Sequence, residues 1–231
     1  MPQLRDDFKS RLKRRDPAVG LHVKIPSADL VAAVARRFDF IFIDCENGGP
    51  DAQTIPDLVR AAHAGGAVAL LRPWSKETGL LRRYLGCGID GFILPDMESA
   101  DEIARVRALM RDVLPAEAAG LIVLALIETA RGVENARAIM QADGVDAIQI
   151  GTSDLAVSLG LPRRNDHPQV KEIAFRLLEM AKALGMSAGT PVNAYPMTEV
   201  LAAGGTCVIL FLHEILAAGI DTALKDWPRR G

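Results

Sequence analysis

Cysteine is scarce in this chain of 231 residues, which holds only Cys45, Cys87 and Cys207. Their odd number, at spacings that match no metal-ligand pattern, favours reduced thiols over a disulfide framework or a zinc site. Cys45 stands between two acids whose charge suppresses the thiolate, so it makes a poor nucleophile. A basic excess is missing as well: 27 Lys and Arg face 29 Asp and Glu, for a net charge of -2. No basic stripe is interleaved with aromatics, so nucleic acid is not an expected partner. No apolar run approaches the roughly 20 residues of a membrane span, and the basic first 16 residues lack the apolar core of a signal peptide. The expectation is a cytoplasmic protein without membrane contacts. Linkers, internal repeats and low-complexity segments are absent, which points to a single domain across residues 1–231.

What is present is a regular alternation of apolar strands and helical patterns. Candidate strands fall at 19–25, 40–44, 67–72, 91–95, 122–128, 147–151, 187–190 and 207–211, with helical patterns at 28–37, 55–64, 78–85, 99–109, 132–141, 168–184 and 197–203. Ser99 with Asp101 and Glu102, and Ser75 with Glu77, supply helix-start chemistry. A terminal helix at about 214–225 follows the last strand, and residues 1–18 form an N-terminal extension before the first. Eight such units describe a (β/α)8 barrel. The competing doubly wound sheet normally carries Gly-x-Gly-x-x-Gly after its first strand, and that motif is missing here.

Several strands run directly into charge. Residues 121–127 are continuously apolar and end at Glu128; the strand over 145–150 is followed by Gly151, Thr152, Ser153 and Asp154. About one strand-helix-strand unit separates the two acids, so a parallel barrel brings both carboxylates out at the same end of neighbouring strands. Two converging carboxylates without histidine or cysteine suit a hard divalent cation such as Mg²⁺ or Mn²⁺. Each acid alone also fits a plainer role, Asp154 as an N-cap and Glu128 as a solvated strand-end acid. Arg72 closes the strand over 67–72 and shares a face with Val68 and Leu70. It suits a substrate carboxylate or enolate, or a structural pairing with Asp44 or Glu46. Asp44, Glu46 and Asn47 end the strand over 40–44, where the acids can orient Arg72 or hold metal-bound water. Gly151, Thr152 and Ser153 offer backbone N–H groups to a small carboxylate, or simply cap the next helix.

These residues resemble the metal-dependent hydroxy-ketoacid aldolases and their relatives around the citrate lyase β-subunit. The likeness rests on Phe40-x-x-Ile43-Asp44-x-Glu46, Leu71-Arg72, Gly88-x-Asp90-Gly91-x-x-Leu94-Pro95, Ile127-Glu128-Thr129-x-x-Gly132-Val133-x-Asn135-Ala136 and Gly151-x-x-Asp154-Leu155. The resemblance implies the barrel, reversible C–C cleavage giving pyruvate or a related 2-oxo acid, and a divalent ion (Mg²⁺ or Mn²⁺, with Co²⁺ as a further option) on Glu128 and Asp154. It implies that Arg72 stabilises the enolate. It also implies a homo-oligomer, often a hexamer built as a trimer of dimers, through the terminal segment 212–227.

Two departures stand out. The aldolase branch continues Asp-x-Glu with a histidine that works in acid-base catalysis, whereas this chain has Asn47, which takes up no proton near neutral pH. The segment between Pro95 and Leu121 has room for only one helix, shorter than in that branch. A metal-bound water assisted by Asp44 or Glu46 is the expected substitute base, with His22 and His213 as further candidates. The alternatives to an aldolase are a citrate-lyase-like acyl-CoA lyase and a catalytically impaired protein that binds 2-oxo acids.

Overall fold

In the computed structural model, which describes residues 2–193 and 195–227, the chain forms a (β/α)8 barrel of eight parallel strands. They are β1 (Ala18–Val23), β2 (Phe40–Asp44), β3 (Val68–Arg72), β4 (Gly91–Leu94), β5 (Ile122–Ile127), β6 (Ala147–Ile150), β7 (Ser187–Gly189) and β8 (Cys207–Phe211). The hydrogen-bonded order is β7-β6-β5-β4-β3-β2-β1-β8. The seam between β7 and β8 is closed by Thr206 N–H donating to Ala188 O at 2.8 Å and Val192 N–H to Ile209 O at 3.2 Å. Gln149 braces this seam from within, its Nε2 donating to Cys207 O at 2.8 Å.

Strand alternation divides the apolar side chains into two layers. Ile41 and Ile43 of β2, Ala69 and Leu71 of β3, and Val123, Ala125 and Ile127 of β5 pack in the layer shared with the helices. Phe40 and Phe42, Val68 and Leu70, and Ile122, Leu124 and Leu126 fill the lumen with Ile93 and Ile209. Gly20 leaves room for this packing, since a Cβ there would lie 2.1 Å from the Phe40 ring. Continued to the C-terminal ends, the lumen register places Asp44, Arg72 and Glu128 at the barrel mouth.

The opposite mouth is plugged. The expected N-terminal extension folds as a helix, Pro2–Arg14, whose Phe8 and Leu12 join the lumen cluster; the Phe8 and Phe40 ring centroids lie 5.6 Å apart. Burying two such side chains contributes about 1.5–3 kcal/mol each. Its cations meet a ring of acids placed one residue before alternate strands: Arg11 with Asp39 at 2.5 Å, Arg5 with Asp90 at 3.7 Å and Lys9 with Asp146 at 3.3 Å. Each of these aspartates also accepts the backbone N–H of the preceding strand, from Val19, Ala69 and Val123 respectively. Charge and sheet register are locked together at this end, which leaves the other mouth for function.

The helices follow the sequence reading with local changes. The segment expected at 132–141 starts at Ala130, because Thr129 Oγ1 accepts the Gly132 N–H at 2.9 Å, and splits at Asn135 into Ala130–Glu134 and Ala136–Met140. Asn135 instead donates through Nδ2 to Glu98 O at 2.8 Å. A short helix, Thr152–Ser158, adds to the expected set. Strand β1 stops at Val23 rather than 25, since the Lys24 carbonyl leaves the sheet to accept Gly49 N–H at 2.9 Å. The helix start expected at Ser99 takes the form of a reciprocal cap with Glu102, whereas Ser75 precedes its helix and Glu77 takes the N-cap position. The terminal helix runs Leu212–Ala223, with Leu212 buried and Ile215, Leu216 and Ile220 exposed, as is Leu224 beyond it. No helix among the described residues is long and apolar enough to cross a membrane.

Candidate active site

A cavity of about 410 Å³ opens at the C-terminal mouth, bounded by His22, Arg72, Glu128, Gln149, Thr152 and Asp154 among others. Its organising element is a buried charge cluster. Asp44, fully buried, accepts Arg72 Nε on Oδ1 at 2.9 Å and Arg72 Nη2 on Oδ2 at 2.8 Å. Oδ1 also accepts the Glu46 and Asn47 backbone N–H groups at 3.0 and 3.2 Å, and His22 Nε2 lies 2.8 Å from Oδ2. Burial pushes the Asp44 carboxyl up, but the hydrogen bonds from His22 and Arg72 outweigh it and hold the group well below the usual carboxylate range. Burial works against the Arg72 charge too, and Asp44 and Glu46 more than restore it. Arg72 Nη1 reaches Glu46 Oε2 at 2.8 Å, and the guanidinium lies 5.3 Å from the Phe42 ring centroid. Both pairings weighed for Arg72 therefore form, while the side chain still faces the cavity.

Glu128 behaves differently. It is 3% exposed, and burial drives its carboxyl up to about 8, against a hydrogen bond from Asp96 N–H at 3.0 Å and the field of Arg72. Asp96 and Asp154 add repulsion. Gly151 admits this side chain, since a Cβ there would lie 2.3 Å from Glu128 Oε2. Asp154, in the first turn of Thr152–Ser158, is paired with Arg163 at 2.7 Å. A buried carboxylate this poorly compensated fits a cation. The donors are hard oxygens, and no cluster of three or more His, Cys, Asp or Glu side chains suited to a metal occurs among the described residues. Glu128 and Asp154 would thus supply two ligands and leave the remaining positions to water and substrate, as hard divalent ions of the Mg²⁺ type accept.

The structure brings the expected residues together: Arg72, Asn47, Glu128, Gly151, Thr152, Ser153 and Asp154 all line the cavity. Asp44 and Glu46 lie directly behind Arg72. Asn47 donates through Nδ2 to Glu46 Oε2 at 3.2 Å. Burial also raises the Glu46 carboxyl, with Arg72 opposing. The two histidine candidates separate, since His22 lines the cavity, whereas His213 sits exposed beyond Phe211. Cys45 points into the helix layer with its thiol pushed up to about 12 by burial, in keeping with its dismissal as a nucleophile. Sequence reasoning missed Lys24, Gln149, Arg163 and Asn193 on the cavity wall. Gln149 had a signal, a polar residue inside an apolar strand; Arg163 comes from a loop with none.

Known proteins carry the same arrangement of elements. A 30%-identical relative, the hydroxypyruvate/pyruvate aldolase of Paraburkholderia phytofirmans (strain DSM 17436 / LMG 22146 / PsJN), aligns over 82% of this chain and 84% of its own length. A crystal structure of an HpcH/HpaI aldolase/citrate lyase family protein from Burkholderia cenocepacia J2315 superposes with a TM-score of 0.87 at 25% identity, covering 95% of this chain and 98% of that one. The citrate lyase beta subunit from M. tuberculosis, solved with oxaloacetate and magnesium, shares the fold at TM-score 0.64 and 23% identity, over 87% of this chain and 93% of that one. The profile of the HpcH/HpaI aldolase/citrate lyase family matches residues 19–206, and the chain belongs to that family.

Proposed function

We propose that this protein is a divalent-metal-dependent aldolase that cleaves or forms the C3–C4 bond of a 4-hydroxy-2-oxo acid, exchanging it for pyruvate or a related 2-oxo acid and an aldehyde. The observation that carries this reading is the convergence of Arg72, Glu128 and Asp154 on one cavity, with Asp44 fixing the arginine from behind. Glu128 and Asp154 would hold Mg²⁺ or Mn²⁺, with Co²⁺ as a substitute, and the ion would supply Lewis-acid polarisation of the 2-oxo acid.

The protein's own residues do the rest. Arg72, held in one orientation by two hydrogen bonds, presents fixed positive charge to the oxygen that becomes the enolate, where a preorganised donor counts most. The turn Gly151, Thr152 and Ser153 is assigned to the substrate carboxylate. Lumen packing beneath the site, including Leu126, Phe42 and Ile209, excludes water from its floor. The working form is proposed to be a cytoplasmic homo-oligomer, assembled as a hexamer or trimer of dimers through the exposed face of Leu212–Ala223.

Asn47 favours a second reading, a citrate-lyase-like enzyme acting on acyl-CoA thioesters or a binder of 2-oxo acids without turnover. Incubation with Mg²⁺ or Mn²⁺ and a panel of 4-hydroxy-2-oxo acids separates these. Steady pyruvate release supports the aldolase; turnover only of thioesters, or binding alone, replaces it.

A further inference from the structure

We propose that His22 is the catalytic imidazole of this site, taking the 4-hydroxyl proton of the substrate on Nδ1 while its Nε2–H is held by Asp44. The inference rests on the aldolase reading above and adds the residue that moves the proton.

The geometry assigns the tautomer. Asp44 accepts two N–H groups of Arg72 and the backbone N–H groups of Glu46 and Asn47, so it is an ionised acceptor. The fifth contact, His22 Nε2 at 2.8 Å, must then be a donor as well. In the neutral ring this leaves Nδ1 with the lone pair. Nδ1 is buried and has no hydrogen-bond partner in the protein, although the ring lines the cavity. A buried polar atom left without a partner requires an explanation, and a catalytic role is one that fits a ring on the cavity wall. The ring itself is fixed, stacked on Phe42 at 4.4 Å and met edge-on by Phe211 at 4.9 Å. A base, an acid that orients it and a rigid mount together are the parts of an activated general base. Asn47 stands on the far side of the same aspartate, so the imidazole absent from position 47 has a counterpart across Asp44.

The charged groups facing His22 are Asp44 from β2, Arg72 from β3 and Lys24 beyond the end of β1; on the β8 side the contact is the Phe211 ring, with His213 behind it. Burial first, then Arg72 and Lys24, depress the imidazole below its ordinary value, against Asp44. The ring is therefore neutral, and able to accept a proton, at pH 7. In the cleavage direction the O–H bond at C4 breaks and its proton passes to Nδ1. The C3–C4 bond electrons move to the 2-oxo oxygen beside Arg72, C4 leaves as the aldehyde, and the imidazolium returns its proton to C3 to give the 2-oxo acid. Nothing else is consumed.

The test is the pH profile of pyruvate release from 4-hydroxy-2-oxopentanoate with Mg²⁺, in the wild type and in His22→Gln, which keeps an amide N–H for Asp44. His22→Phe, which keeps the ring stack, runs in parallel. Binding of oxalate, a planar mimic of the enolate, reports whether Arg72 remains in place. The proposal expects an ascending limb below about pH 6.5 in the wild type, loss of about 10²- to 10⁴-fold in kcat/KM in both variants, disappearance of that limb, and oxalate affinity within a few fold. Adding Asn47→His to His22→Gln should restore a limb. Activity of His22→Gln near that of the wild type, a wild-type profile with no such limb, or oxalate affinity falling in step with the rate would each overturn it. The last result would mean that the ring only braces Asp44 and Arg72. Absence of pyruvate release from the wild type with every 4-hydroxy-2-oxo acid fails the aldolase reading itself, and the role of His22 with it.

Discussion

Asp44 and Arg72 face each other as a two-pronged pair, with Nε on Oδ1 at 2.9 Å and Nη2 on Oδ2 at 2.8 Å, both side chains almost wholly buried. Removing one partner of such a pair strands the other charge, which typically costs about 3–5 kcal/mol. Asp44→Ala should fall near the lower end, since Glu46 still reaches Arg72. Urea denaturation of the metal-free protein measures this; a loss under about 1 kcal/mol would mean that the pair is not a structural support. Arg72→Lys keeps the charge but not the fork, and should slow turnover by about 10²- to 10³-fold, the effect of losing a preorganised donor.

The metal assignment makes two predictions with one readout. Glu128→Gln and Asp154→Asn should each weaken Mn²⁺ binding by at least about 10- to 100-fold, the range already seen for lesser, supporting contacts. Gly151→Ala should do the same without replacing a ligand residue, because its Cβ would intrude to 2.3 Å from Glu128 Oε2 and displace that carboxylate. Calorimetric titration with Mn²⁺ is the check, and unchanged affinity in both carboxylate variants would remove the site from this pair.

The titration of Glu128 carries a pH dependence whose sign is fixed. Its folded-state value, near 8, lies above that of the unfolded chain, about 4.5, so folding takes up a proton between the two. The stabilisation is complete below the lower value and is lost as pH rises through the upper one. The melting temperature of the metal-free protein should therefore decline over this window, and Glu128→Gln should flatten that decline. Mn²⁺ binding at pH 7 should release roughly one proton per ion, a release that vanishes above about pH 9; calorimetry in buffers of different ionisation enthalpy reads it directly. A proton count near zero at pH 7 would contradict the buried, protonated carboxyl.

Exposure along the terminal helix makes a prediction about assembly. Ile220 is 56% exposed and Trp227 70%, on a stripe that also holds Ile215, Leu216 and Leu224. If a neighbouring subunit covers this face, light scattering should give a mass several times the 24.8 kDa of one chain, and Ile220→Glu should reduce it. A monomer at micromolar concentration in the unaltered protein would end the assembly proposal.

The barrel was legible because continuous apolar runs alternate with helical patterns along the chain, and in β2, β3 and β5 the run ends in charge at Asp44, Arg72 and Glu128, so the same strands explain core and site. Runs that end in no charge, such as those of β7 and β8, read as strands but point to no site residue. Phe8 and Leu12 lie one helical turn apart, but nothing in the sequence shows that their partner is the lumen, so residues 1–18 read only as an extension. Gln149 sits in a strand apolar on both faces, where sequence cannot separate lumen from helix layer. His22 was one of two undifferentiated histidines until register set it opposite Asp44. Arg163 reaches the cavity from a loop, where no periodicity operates.

The central claim is that this cavity, loaded with a divalent ion, converts a 2-oxo acid to its enolate. Exchange of the pyruvate methyl protons for deuterium in D₂O, followed by proton NMR with Mg²⁺, tests it without knowledge of the aldehyde. Exchange should require the metal, be lost in Glu128→Gln and be inhibited by oxalate. Pyruvate that keeps its methyl protons in the presence of Mg²⁺, or exchange indifferent to Glu128, would contradict it.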